Sequence, residues 1–222
     1  MSDSFSDLDL KSLARQLSNP TGEEGKEVAR LMNEGNIEMT KAAIEALQLK
    51  FGQTVLELGH GNADHLKLIL DQAEYLNYFG VDISETMKSE AERINAKFIE
   101  LRTAFFTLYD GLKLPFKDKT FDAILTVNTI YFWQEPEQLI NEIYRVLKPG
   151  GCCSIAFGQK EYMEDLPFVQ YGFELYGNDE LKDLVARSEF ALEEIKQYED
   201  EVMSKTGERV KRKYGVALLI KT

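Results

Sequence analysis

Val55-Leu56-Glu57-Leu58-Gly59-His60-Gly61-Asn62 is an apolar run that carries one acid and breaks into two closely spaced glycines, and Val81-Asp82 closes a second apolar run downstream. A strand that stops at glycines lets backbone N–H groups approach a ligand without interference from a Cβ, and an acid at the end of the next strand can accept hydrogen bonds from a ribose diol. The pair points to a nucleotide-like cofactor. Gly-x-Gly after a strand also occurs as a plain tight turn, so the flanking sequence has to decide.

From Thr54 onward, short apolar runs alternate with longer amphipathic stretches: Thr54 to Leu58, Leu66 to Leu70, then Tyr75 to Val81. This is the signature of βαβ units around a parallel sheet. Ser84 is a good N-cap, and Met87, Ala91, Ile94, Phe98 and Leu101 recur at helical spacing, which predicts one helix with all five on one face. Strands are expected at Ala104 to Leu108 and at Phe121 to Val127, where only Asp122 and Thr126 interrupt a run suited to burial on both faces. Pro136 suits the first turn of a helix bearing Leu139, Ile140, Ile143 and Leu147. Lys148-Pro149-Gly150-Gly151 would stop it, and a strand from Cys152 to Phe157 follows.

Upstream, residues 9 to 49 read as helical in two segments. Val28, Leu31 and Met32 belong to the first, Ile37, Ala43, Ile44 and Leu47 to the second, with Asn36 as the N-cap between them. Past Gly158 the chain becomes aromatic-rich, with Tyr162, Phe168, Tyr171, Phe173 and Tyr176, a density that favours a small satellite core over the wall of a ligand pocket. A helix over Asp179 to Ser188 follows. Leu192 to Tyr198 and Tyr214 to Lys221 are β-prone runs joined by a polar stretch containing Gly207, which predicts a C-terminal antiparallel hairpin. The expected organisation is an N-terminal helical cap over residues 1–50 and a core over 51–222, with an aromatic-rich insertion at about 158–178.

The chain has 222 residues, 44% of them hydrophobic, enough for a real core. Its formal charge of −12 argues against an open nucleic-acid surface, which needs clustered Lys and Arg. The basic run Arg209 to Lys213 is short and reads as a solvated strand edge in preference to an anion site. Met1 to Leu10 is acidic and Ser-rich, unlike a secretory signal, and no apolar run is long enough for a spanning helix. Cys152 and Cys153 are adjacent on a strand and so point to opposite faces, poorly placed for a disulfide or a metal site. Two histidines and no cysteine cluster give no recognisable metal site. The default setting is cytoplasmic.

The order of motifs resembles the class I S-adenosylmethionine (SAM)-dependent methyltransferases, in particular the broad small-molecule group called methyltransferase type 11. Four pieces carry the resemblance: Val55 to Gly61; Gly80-Val81-Asp82-Ile83-Ser84; Asp110-Gly111-Leu112-Lys113-Leu114-Pro115-Phe116 leading into Phe121-Asp122; and Leu147-Lys148-Pro149-Gly150-Gly151. It covers roughly residues 20 to 157 by motif and the remainder by topology. The resemblance implies a Rossmann-like α/β three-layer sandwich whose seven-stranded, mostly parallel sheet ends in an antiparallel hairpin. It implies SAM as cofactor, with S-adenosylhomocysteine as product.

By the same resemblance Gly59, His60 and Gly61 would form the loop against the methionine part of SAM, with Glu57 holding that loop and reaching the α-amino group through water. Asp82 would accept from both ribose hydroxyls, Ile83 would lie against the adenine face, Asp110 would accept from the adenine amino group, and the Gly111 amide would face a ring nitrogen. Asn128 would line the methionine end near the reacting methyl. Two departures stand out: Ala63 occupies the place of a third glycine, a mild change if that backbone needs no positive φ, and His60 stands where a small residue is common. His60, a loop histidine with no acid partner in sequence, reads as a packing or hydrogen-bonding residue, and His65, on a presumed helix, has no better claim to catalysis. Met32 and Met39 read as core.

Methyl transfer from a sulfonium is an in-line displacement in which the protein chiefly supplies alignment and water exclusion. Tyr131 is a candidate base for an oxygen or nitrogen acceptor. Tyr131, Phe132 and Trp133, with Tyr162 and Tyr171, would form the wall for a small, partly apolar or aromatic acceptor. Asn128-Thr129-Ile130-Tyr131 lacks both prolines of the Asn-Pro-Pro-Tyr signature of base-methylating enzymes, which with the acidic charge argues against a DNA or RNA substrate. Two alternatives remain: a non-catalytic SAM- or nucleoside-binding module of the same fold, and an NAD-dependent oxidoreductase. The oxidoreductase gives no reason for Asp110 or for Lys148 to Gly151. The acceptor atom and the oligomeric state are left open.

Overall fold

The computed structural model describes residues 7–203 and 209–222. Two helices, α1 (Asp7–Ser18) and α2 (Gly22–Ala46), precede the sheet. Then follow β1 (Thr54–Leu58), α3 (Leu66–Leu70), β2 (Asn77–Asp82), α4 (Glu85–Ile94), α5 (Ala96–Glu100), β3 (Ala104–Leu108) and β4 (Phe121–Val127). The chain closes with α6 (Pro136–Val146), β5 (Leu147–Gly158), α7 (Lys160–Met163), α8 (Asn178–Ala186), β6 (Ala191–Met203) and β7 (Arg209–Ile220).

The seven strands form one sheet in the order β3-β2-β1-β4-β5-β7-β6. The first five of these are mutually parallel, and β7 runs antiparallel to both β5 and β6. From β1 the chain builds outward to β3, then returns to place β4 on the other side of β1. That reversal opens a crevice beyond the carboxyl ends of β1 and β4, where doubly wound sheets bind their ligands.

Both faces of the sheet are covered, which is why the central strands are mostly apolar. Val55, Ala123 and Leu125 face a cluster with Ile44, Leu47, Leu66, Ile69 and Tyr78. Leu56, Leu58 and Ile124 face the opposite cluster, with Leu139, Ile140 and Ile143 of α6 and Leu181 and Leu184 of α8. Met39, Ala42 and Ala43 of α2 pack against Ala156, Tyr214 and Val216.

Several local expectations are corrected. The two N-terminal segments expected to divide at Asn36 are one 25-residue helix, and Asn36 is no N-cap. It lies buried in the middle of α2, where Oδ1 accepts from Arg212 Nη1 at 2.6 Å. Leu31 of the same helix is exposed. Ser84 does cap α4, accepting from Met87 N at 3.1 Å, but the helix expected to reach Leu101 breaks at Asn95. Asn95 Nδ2 donates to Ala91 O, a back-bond of the kind that loosens a helix, and also to Ala63 O, each at 3.0 Å. Leu101 is consequently exposed. Leu147 turns extended and opens β5 instead of ending α6.

The basic run at the start of β7 pairs with β6 alone, since β5 reaches only to Tyr214, but this strand edge is not solvated throughout. Arg212 is buried there, bonded to Asp200 by Nε at 3.0 Å and Nη2 at 2.6 Å and to Gly35 O at 3.0 Å. The hairpin strands are longer than expected, and the connection with Gly207 lies outside the described residues.

Candidate active site

The loop after β1 is set by backbone geometry. Gly59, Gly61 and Ala63 all take positive φ, at 69°, 56° and 50°. Gly59 also donates its N–H to Val81 O at 2.8 Å, and a Cβ on it would collide with Thr129 Cγ2, so only glycine fits. Ala63 does need the left-handed conformation, at a cost of about 1 kcal/mol relative to glycine. Its carbonyl is held by Asn95 Nδ2, which fixes the strained residue in place.

Asp82 ends β2 beneath this loop. Its Oδ2 accepts from Gly61 N at 3.0 Å and its Oδ1 from Ser84 N at 2.8 Å. A carboxylate offers about four lone-pair sites, so roughly two remain for a diol after these bonds. Burial pushes the Asp82 carboxyl above its usual range, against the pull of His60 and the two amides. Ser84 Oγ in turn donates to Pro20 O, tying the α1–α2 connection to the end of β2.

Asp82, Ile83, Asp110, Gly111 and Asn128 line one cleft with Glu57, Gly59, His60 and Gly61. Ile83 is an exposed apolar side chain on its rim. Asp110 is solvent-facing, and Oδ1 accepts from Lys113 N at 2.7 Å and Leu112 N at 2.9 Å, bonds that hold its carboxyl below the ordinary range. Asn128 takes φ 57° at the end of β4, and its Oδ1 accepts from Tyr131 Oη at 3.0 Å. His60 turns its ring edge-on to Phe106 with centroids 5.0 Å apart, and Nδ1 lies 2.7 Å from Gly61 O. Burial lowers its pKa, and Nε2 is buried with no partner.

Below the loop lies a polar network with no counterpart in the sequence reading. Glu57 accepts from Tyr78 Oη at 2.6 Å, and His65 Nε2 lies 2.9 and 3.1 Å from its two carboxylate oxygens. His65 therefore does have an acid partner, eight residues away in sequence. Gly80 makes room for the cluster: a Cβ there would come within 2.7 Å of His60 Cδ2 and 3.0 Å of Tyr78 Oη.

The expected acceptor residues divide. Phe132 and Trp133 line the cleft, and Trp133 Nε1 donates to Thr129 Oγ1 at 3.1 Å. Tyr131, Tyr162 and Tyr171 are not among its lining residues. The Tyr131 hydroxyl is turned into the core, where Gly158 N donates to it, and burial raises its pKa. Tyr162 and Phe173 pack on the core beside α6 and α8, so the aromatic segment serves mainly as core, Phe173 lying 4.6 Å from the Phe132 ring. The remaining walls come from residues the sequence reading left out: Gln16 and Pro20 before α2, Met32 and Asn33 within it, Tyr109 and Thr129. Tyr109, directly before Asp110, was the one with a positional signal. Met39, by contrast, is fully buried core.

A reversed doubly wound sheet, a glycine loop, and acids at the ends of β2 and β3 define a nucleoside-cofactor-binding α/β protein. Residues 56–155 match the family model described as a methyltransferase domain. The chain is 27% identical over 132 residues to the uncharacterized methyltransferase YdaC of Bacillus subtilis, a match covering 59% of this chain and 70% of that one. It is 28% identical over 159 residues to phosphoethanolamine N-methyltransferase 2 of Caenorhabditis elegans, covering 71% of this chain and only 33% of the relative. A SAM-dependent methyltransferase from Aquifex aeolicus superposes with a TM-score of 0.67 at 22% identity, covering 98% of this chain and 100% of that one. Residues 56–155 are a methyltransferase domain, and the chain has the fold of SAM-dependent methyltransferases, which implies SAM as its cofactor. Among the described residues no helix is long and apolar enough to cross a membrane.

Proposed function

We propose that this chain transfers the methyl group of SAM to a small, uncharged, partly apolar or aromatic acceptor. The cleft suits the cofactor on its own geometry: Gly61 has open space beside it, Asp82 keeps lone pairs free, and Ile83 offers an apolar face. Gly59 and Gly61 would hold the methionine part, Asp82 the ribose, and Ile83, Asp110 and Gly111 the adenine. Bound SAM supplies an activated methyl on a cationic sulfur.

The observation that carries the acceptor class is charge. No Lys or Arg lines the cleft, and its acids are Glu57, Asp82 and Asp110, all on the cofactor side or in the buried network. The wall left for the acceptor consists of Gln16, Met32, Asn36, Phe132, Trp133 and similar neutral residues. An anion buried there would meet no Lys or Arg to pair with, and a poorly paired buried charge is costly. A phosphate-bearing acceptor, such as the name of the Caenorhabditis elegans relative indicates, therefore fits poorly, whereas a flat neutral molecule can stack on the two aromatic rings. Trp133 and Phe132 align that molecule and exclude water, the two contributions an in-line displacement needs from protein.

Parallel calorimetric titrations with SAM, S-adenosylhomocysteine and NAD, followed by mass-spectrometric screening of neutral and phosphorylated acceptors, test this. SAM and S-adenosylhomocysteine should bind without NAD, and neutral acceptors should gain a methyl. Binding of NAD alone overturns the cofactor assignment. Methylation confined to anionic acceptors overturns the acceptor class, and SAM binding without turnover across the panel overturns the enzymatic reading.

A further inference from the structure

His65 has both ring nitrogens facing oxygen. Nε2 meets the Glu57 carboxylate at 2.9 and 3.1 Å, and Nδ1 meets Asn33 Oδ1 at 3.0 Å. A neutral imidazole carries one N–H, so it can donate to only one of these two acceptors, whereas the imidazolium donates to both. His65 and Glu57 are 8% and 2% exposed, so water does not compete for the bond between them, whereas Asn33 is half-buried at the cleft wall. Three elements meet in this contact: β1 through Glu57, the residue before α3 through His65, and the cleft wall of α2 through Asn33. Tyr78 of β2 adds a fourth by donating to Glu57.

We infer that His65 is a positioning residue, an imidazolium that clamps the cleft-wall helix α2 to the base of the SAM loop, so that SAM affinity depends on its proton. The inference rests on SAM occupying this cleft. Loss of the proton leaves Nδ1 with a lone pair aimed at the Asn33 oxygen, which repels it. The amide must then turn over or α2 must move away, and either changes the face Asn33 presents to the cleft. The titratable groups facing His65 are Glu57 of β1, the adjacent Asp64 and His60 of the loop, with Tyr78 of β2 acting through Glu57. From α2 it meets the uncharged Asn33. Burial works against the charge, but the field and hydrogen bond of Glu57 outweigh it and hold the His65 pKa above the ordinary histidine value. Burial likewise opposes the Glu57 charge, and His65 and Tyr78 outweigh it and hold that carboxyl below its usual range.

The sign follows. A histidine whose folded pKa is raised contributes stabilisation fully present below its unfolded pKa and lost as pH rises through the folded one. A carboxylate whose folded pKa is lowered contributes stabilisation present above its unfolded pKa and lost as pH falls through the folded one. The clamp therefore holds between the two and opens on the alkaline side.

The chain has only two histidines, so nitrogen-15 labelling of histidine gives two ring spectra that need little assignment. In the ligand-free protein at about pH 6.5, the ordinary histidine midpoint, His65 should be mainly doubly protonated and His60 mainly neutral. Calorimetric SAM affinity should weaken by roughly five- to tenfold as pH rises through the His65 midpoint, a coupling of ordinary size. In H65Q that dependence should be flat. N33L leaves the Glu57 pair intact and should keep His65 charged while flattening the same dependence, which covers the case in which H65Q does not fold. A neutral His65 at that pH overturns the inference, as does an identical pH profile in wild type and N33L. Failure of SAM to bind at any pH overturns the cofactor placement beneath it, and the ligand-free spectra distinguish that failure from a wrong charge state.

Discussion

Asp82→Ala separates what the carboxylate does for the loop from what it does for a ligand. In the free protein the substitution removes the acceptor for Gly61 N and Ser84 N. Hydrogen bonds to a charged group contribute about 1.5–3 kcal/mol each, but burial has raised this acid's pKa, so the charge itself costs stability at neutral pH and its removal returns part of the loss. The net destabilisation should be about 1–2 kcal/mol, a modest fall in Tm that leaves the protein folded. For the ligand, two ribose hydroxyls lose a charged acceptor and regain water admitted by the shorter side chain. SAM affinity should drop by about 1–3 kcal/mol, or roughly 5- to 150-fold. Calorimetry with SAM and with an analogue lacking both ribose hydroxyls provides the control: the analogue should bind wild type and variant alike. Unchanged SAM affinity in the folded variant, or equal losses for both ligands, would refute the placement of the ribose.

Two further substitutions probe the neighbouring residues. Tyr131→Phe removes a buried hydroxyl bonded to Gly158 N and Asn128 Oδ1; it should cost about 1–2 kcal/mol by denaturant titration and leave kcat near wild type. A large fall in kcat with KM intact would instead make Tyr131 the base. Arg212→Met leaves the Asp200 carboxylate, only 14% exposed, without its bidentate partner, and should destabilise the fold by about 3–5 kcal/mol. A thermal shift no larger than that of a surface substitution would show that water already satisfies Asp200.

The parts of the fold that could be read from sequence are those whose cause is local. Gly59 and Gly61 end β1, Ser84 caps α4, Pro136 opens α6, and the apolar run to Val127 suits a strand covered on both faces; each signal lies within a few residues of its effect. What could not be read depends on distant partners. Gly35-Asn36 looks like a helix boundary until Arg212, from the far end of the chain, satisfies the buried amide and the Gly35 carbonyl. Leu101 sits on the predicted apolar stripe, but Asn95 interrupts the helix to serve Ala63. Within the cleft Gly59, Asp82, Asp110 and Asn128 carry motif signals, whereas Asn33 and Gln16 reach it only because α1 and α2 fold across the strand ends. Tyr162 and Tyr171 carried an aromatic signal that does not distinguish core from wall.

The unbroken course of α2 has a mechanical side. At about 1.5 Å per residue its 25 residues make a rod of about 37 Å, with no hinge between the turns that flank the cleft and those seated on the sheet. Ala43, fully buried against Ala156 and Val216, lies roughly 15 Å along the axis from Asn33. With the core as its fulcrum the rod would act as a lever, so a bulkier side chain at Ala43 should tilt the far arm and change the width of the cleft. Under the proposed methyl transfer, Ala43→Leu should then change which acceptor sizes are taken, although Ala43 does not line the cleft.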